Sequence, residues 1–133
     1  MLRLMAYGWA LPNTVMGVLL GLVMLALGGR VCLVMGVAEF HGGWAVRRLA
    51  ARPALAGFCA MTLGHVILGA CPSDLAAWRA HEHVHVRQYE RWGIFFLPAY
   101  VLSSIWQVML GRHGYRDNVF ERQAYAVDIR RPV

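Results

Sequence analysis

The chain has 133 residues, of which 59% are hydrophobic and only 15% charged, against roughly 25% charged in an ordinary soluble domain. It can therefore bury one core but not two, and water alone does not suit its surface. The net charge of +6 is carried by arginine without a single lysine, beside long apolar runs and not in an aromatic-interleaved basic patch, so a lipid surface is the expected partner and nucleic acid is not.

In chain order, the 26 residues between Arg3 and Arg30 are uncharged, and residues 14–27 are rich in Leu, Val, Met and Gly. About 20 apolar residues cross a bilayer as a helix, so residues 1–29 read as an uncleaved transmembrane anchor, with Tyr7 and Trp9 at the interface. A cleaved signal peptide is the competing reading. Arg30, Arg47, Arg48 and Arg52 follow the span and only Arg3 precedes it, which points the following domain, residues 30–133, to the cytoplasmic side. Three cysteines, Cys32, Cys59 and Cys71, without any Cys-x-x-Cys pair, supply neither a disulfide framework nor a thiolate metal knuckle.

Between residues 30 and 49, Val31, Leu33, Met35 and Val37 alternate and Gly42-Gly43 marks a turn, the pattern of a short hairpin. Residues 54–70 are again uncharged, and Thr62, Val66 and Ile67 favour a strand over residues 61–68. Pro72-Ser73-Asp74 signals a helix start with Ser73 or Asp74 as N-cap, and Gly93 a stop. Residues 94–110 form an apolar helix that is buried, interfacial or spanning. A last short helix begins near Asn118.

The helix over residues 75–92 carries His81-Glu82-His83-Val84-His85. His81 and His85, four residues apart, project from one face and can grip one metal ion. Glu82 beside them can act as general base without being a ligand. His83 lies roughly 160° around the helix from His81 and faces away. Trp78, His81, His85, Gln88, Tyr89 and Trp92 share one side, with Trp78 and Trp92 expected in the core. Arg79, Arg87, Glu90 and Arg91 lie largely elsewhere and argue against an intramembrane site. Glu121 is the expected third ligand, although Asn118 three residues before it is also close to a capping box. Asp117, Asp128 and His113 are the alternatives.

The run from His81 to Gln88, followed by Glu121-Arg122-Gln123-Ala124-Tyr125, resembles the minimal gluzincin pattern of the zincin metallopeptidases. The resemblance covers about half the chain, residues 61–128. It implies Zn2+ held by His81, His85 and Glu121, Glu82 as catalytic base, and residues 61–68 as an edge strand that aligns a peptide or protein substrate. Many gluzincins carry an aspartate four residues after the ligand glutamate, supporting a ligand; this chain has Tyr125. Tyr125, Tyr115, His113 and Tyr89 are candidates for supporting the ligands or stabilising the oxyanion.

The expected architecture is α+β: an N-terminal membrane helix, a small antiparallel sheet and a zincin-like helical active-site core. The expected function is peptide-bond hydrolysis by a membrane-associated zinc metallopeptidase. Two rival readings use the same residues, a non-catalytic zinc-binding membrane protein and a metal-free membrane interaction protein.

Overall fold

The structure, a computed structural model, describes residues 2–53 and 59–128; the first part of the uncharged stretch 54–70, residues 54–58, lies outside the described residues. A long first helix, α1 (Leu2–Ala26), precedes the strands β1 (Gly29–Val34) and β2 (Val37–Gly42) and the short helix α2 (Trp44–Ala50). Then come β3 (Ala60–Leu63), β4 (Val66–Gly69), the site helix α3 (Pro72–Trp92), a 3₁₀ turn (Gly93–Phe95), α4 (Phe96–Met109) and α5 (Val119–Asp128). The α+β class is as expected from the sequence.

The sheet is mixed, in the order β1-β2-β4-β3, and not purely antiparallel as expected. β1 and β2 form one antiparallel hairpin and β3 and β4 another, while β2 and β4 run parallel. A parallel join needs a crossover, and the chain between β2 and β3, with α2 in it, supplies one. The expected turn at Gly42-Gly43 lies instead at Met35 and Gly36, whose φ values of 53° and 82° are those of a two-residue type I′ hairpin. Gly42 and Gly43 lead into α2, which the sequence pattern did not reveal. The single strand expected over residues 61–68 is two strands folded about Gly64-His65.

Strand pairing places Phe40, Leu63, Val66 and Leu68 on one face of the sheet and Val37, Glu39, Thr62 and Ile67 on the other, because side chains alternate. α1 covers the first face. Its buried positions Ala10, Asn13, Gly17, Gly21 and Met24 form a helical stripe, and the two glycines admit the sheet: a Cβ on Gly17 would lie 2.7 Å from Val66 Cβ, and one on Gly21 2.6 Å from the Phe40 ring. Polar pins fix its register. Asn13 Nδ2 donates to the Gly93 carbonyl at 3.1 Å, Thr14 Oγ1 accepts the His65 backbone N–H at 3.1 Å, and the Tyr7 hydroxyl donates to the Gly36 carbonyl at 3.1 Å.

α3 covers the second face, with Leu75 and Val86 packed on Val37 and Ile67. It starts earlier than its sequence signals suggest: Cys71 is the N-cap and Pro72 the first turn, since proline has no N–H to satisfy and its φ suits a helix start. It ends at Gly93, φ 54°, as expected. Two helical stretches, Leu4–Ala26 and Pro72–Met109, are long and apolar enough to cross a membrane by length and composition, with mean hydropathy 1.8 and 1.3. On α1 the side away from the sheet exposes Leu11, Val15, Leu19, Leu22 and Val23, and α4 exposes Val101, Leu102, Ile105, Trp106 and Met109.

Candidate metal centre

α3 presents His81 and His85 from one face, as their spacing requires, and both are buried. α5 brings the third group. Asn118, wholly buried, caps this helix by accepting the Phe120 N–H on Oδ1 at 2.9 Å, and its Nδ2 donates to the Tyr100 carbonyl and to Ser104 Oγ on α4. The cap thus docks α5 on α4. Glu121, in the first turn, does not close a capping box; its carboxylate turns to the two histidines.

The three donors converge. Glu121 Oε2 lies 3.2 Å from His81 Nε2, Glu121 Oε1 3.4 Å from His85 Nε2, and the two Nε2 atoms 3.3 Å apart. Donors bound about 2.0–2.1 Å from one ion at tetrahedral angles stand about 3.3 Å from each other; the His81–His85 and His81–Oε2 separations match this, and one donor atom from each of the three residues lies within 4.8 Å of the others. The protonation pattern agrees. Gln88 Nε2 donates to the Phe120 carbonyl at 3.1 Å and to Gln123 Oε1 at 3.0 Å, so its Oε1 is the atom 2.8 Å from His85 Nδ1. An amide oxygen only accepts, hence Nδ1 carries a proton and Nε2 is the nitrogen that faces the centre, a lone pair on the neutral ring and a donor to Glu121 on the protonated one. Two imidazole nitrogens and a carboxylate brought this close are held together by a shared proton or by a metal ion. His81, His85 and Glu121 are the group, among the described residues, that could hold a metal ion.

The surroundings shift the titrations accordingly. Burial pushes the Glu121 carboxyl up, but the hydrogen bonds from His81, His85 and Tyr100 outweigh it and hold the group well below the usual carboxylate range. Burial lowers His85, and its bonds to Glu121 and Gln88 more than reverse this. Tyr100 is raised, by burial first and then by its bond to Glu121, so its proton stays in place. Glu82 is also raised, chiefly by burial. Its Oε2 accepts a 2.6 Å hydrogen bond from Thr62 Oγ1 on β3, and it is not one of the converging donors.

These residues line a cleft of about 420 Å³ walled by β3, α3, α4 and α5. β3 is an edge strand. The Ala70 N–H bonds to the Cys59 carbonyl across the β3–β4 ladder, and because bonded pairs alternate along an antiparallel ladder, the N–H and C=O groups of Ala60 and Thr62 point away from β4, out of the sheet edge.

The other candidates separate. Tyr115 and Tyr125 line the cleft with hydroxyls 3.5 Å apart, and the Tyr125 ring meets His81 edge-on at 4.6 Å between centroids. Tyr89 is 1% exposed and packs on Phe96, lining the inner wall. His113 is not at the cleft: its Nδ1 accepts the N–H groups of Tyr115 and Arg116, and its own N–H donates to Asp117, so both residues shape the turn before α5. The side chain of Asp128 lies outside the described residues. His83 stays away from the centre; burial lowers its pKa. Trp78 is half-buried at the cleft against His81, and Trp92 is 47% exposed, so neither is the plain core residue expected. The sequence pattern missed Thr62 and Tyr100 as site residues and read Gln88 only as a member of the packed face; its helical spacing from His85 was the available signal. No family model, no curated protein and no solved structure matches this chain.

Proposed function

We propose that the protein is a membrane-associated zinc metallopeptidase. The convergence of His81, His85 and Glu121 at 3.2–3.4 Å beside a buried carboxylate that is not a ligand carries this reading. Structural zinc sites close with four protein ligands and catalytic ones keep three and an open position; among the described residues the donor group has three members. When bound there, zinc would acidify water towards a pKa of about 7 and polarise the scissile carbonyl.

The chain's own residues supply the rest. Glu82 has Oε2 committed to Thr62, which leaves Oε1 to take the proton of an attacking water and pass it to the departing amide nitrogen. The outward groups of Ala60 and Thr62 can pair with an extended peptide as an added strand, laying a backbone along the cleft. Tyr115 and Tyr125 stand where a hydroxyl could meet a developing oxyanion. The zincin resemblance accords with this set of helix ligands, later-helix glutamate and edge strand.

The apolar outer side of α1 supports a lipid partner, and the arginines that follow it support a cytoplasmic site. The deciding experiment uses the full chain in detergent micelles: Glu82→Gln should retain zinc and lose hydrolysis of unstructured polypeptides. Undiminished turnover in that variant excludes the mechanism, and a wild-type protein that is stable and metal-free when purified without added zinc favours the metal-free interaction reading.

A further inference from the structure

Glu121 and His85 are each held from behind by a neutral side chain. Tyr100, on α4, donates its hydroxyl to Glu121 Oε1 at 2.7 Å. That oxygen is the one farther from its histidine, 3.4 Å from His85 Nε2, while Oε2 lies 3.2 Å from His81 Nε2. The carboxylate is thereby made unequal. Gln88, buried on α3, accepts a hydrogen bond from His85 Nδ1–H at 2.8 Å and ties the same amide to α5 through the Phe120 carbonyl and Gln123. It fixes one ligand's tautomer and the distance between the helices that carry the ligands. Tyr125 stands where many gluzincins have an aspartate, and it meets the rings of Trp78, His81 and Tyr115 and the Tyr115 hydroxyl.

We propose that Tyr100 and Gln88 are the positioning residues of this centre, Tyr100 by occupying one oxygen of Glu121 so that the other serves as a single-oxygen ligand, and Gln88 by locking His85. The proposal rests on the metal-centre reading above. A carboxylate oxygen engaged in a strong O–H bond keeps a lone pair but is the poorer metal donor, so binding through the other oxygen is favoured and a coordination position stays open for water. Outer partners of this kind orient the ligands, and losing one typically weakens metal binding about 10- to 100-fold.

The test measures metal binding and not turnover. Full-length protein in detergent micelles is stripped of metal and titrated with Zn2+ against a chromophoric chelator, then with Co2+ while the visible absorption of the bound ion is recorded. Tyr100→Phe, which removes one oxygen atom, should bind Zn2+ about tenfold more weakly and give a weaker Co2+ absorption as the freed carboxylate oxygen joins the ion, with the melting temperature of the metal-free protein unchanged. Gln88→Met should weaken Zn2+ by a similar or larger factor. Wild-type affinity and spectrum in Tyr100→Phe overturn the role of Tyr100, and wild-type affinity in Gln88→Met overturns that of Gln88. A weaker affinity with an unaltered Co2+ spectrum in Tyr100→Phe marks a merely structural contribution and also overturns its role. Wild-type protein that takes up neither ion removes the metal-centre reading itself, a result distinct from the others.

Discussion

The two faces of the sheet are covered by helices of opposite kind. On one, α1 meets Phe40, Leu63, Val66 and Leu68 through glycines and an alanine, and its polar contacts go mainly to backbone groups. On the other, α3 meets buried polar side chains: Thr62 bonds Glu82, and Glu39, 1% exposed, receives two hydrogen bonds from Arg79 at 2.8 and 2.9 Å. The difference teaches where this small fold can tolerate chemistry. Close backbone approach on the α1 side supplies rigid packing, and that support allows the α3 side to keep histidines and carboxylates out of water with their partners aligned, a condition under which electrostatic interactions strengthen.

That contrast can be broken most severely at Glu82, the proposed base. Glu82→Gln should lower the turnover number by about 10²- to 10⁴-fold with metal content unchanged; equal losses of metal and activity would mean that Glu82 is part of the binding set. Next in size, Arg79→Ala leaves the Glu39 carboxylate buried without its cation and should destabilise by about 3 kcal/mol, towards the low end for buried pairs because the Arg79 side chain is itself 35% exposed. A denaturant midpoint within error of wild type would show that the pair contributes nothing net.

The α1 side should respond to volume. Gly21→Leu drives a side chain into the Phe40 ring and should cost about 1–3 kcal/mol, while an unaltered melting temperature would mean that α1 shifts along the sheet freely. Thr62→Val keeps shape and removes the hydrogen bond to Glu82; it should cost about 1 kcal/mol and lower turnover more than metal affinity, and an unchanged turnover would exclude Thr62 from orienting the base. The smallest effect on folding belongs to the outer face of α1. Leu22→Gln should move stability by no more than about 0.5 kcal/mol yet reduce partition into lipid vesicles; undiminished partition would remove this face from the membrane contact.

Legibility in the sequence followed the range of the interaction. The helix around His81, its stop at Gly93, the α5 start at Asn118 and the outward position of His83 were all readable, since each depends on neighbours within a turn or two. The hairpin at Met35-Gly36 was misplaced because Gly42-Gly43 carried the stronger composition signal, while Met35 adopts the left-handed conformation that chemistry alone would assign to glycine. The parallel join of β2 to β4 left no local pattern. Glu121 was expected as a ligand against a competing capping-box reading, because one spacing serves both.

What the sequence by itself determined, then, is the set of groups available for chemistry and which of them share a helix face, because 3.6-residue periodicity is written in the chain. Only the tertiary structure decided which distant groups meet. Asn118 docks α5 onto α4 and thereby turns Glu121 to the histidines, β3 arrives as an edge strand with Thr62 on Glu82, and Tyr100 reaches the Glu121 carboxylate from a stretch, residues 96–102, that is otherwise apolar and aromatic. Those contacts depend on how the helices and the sheet pack together, and packing is settled by the whole core at once.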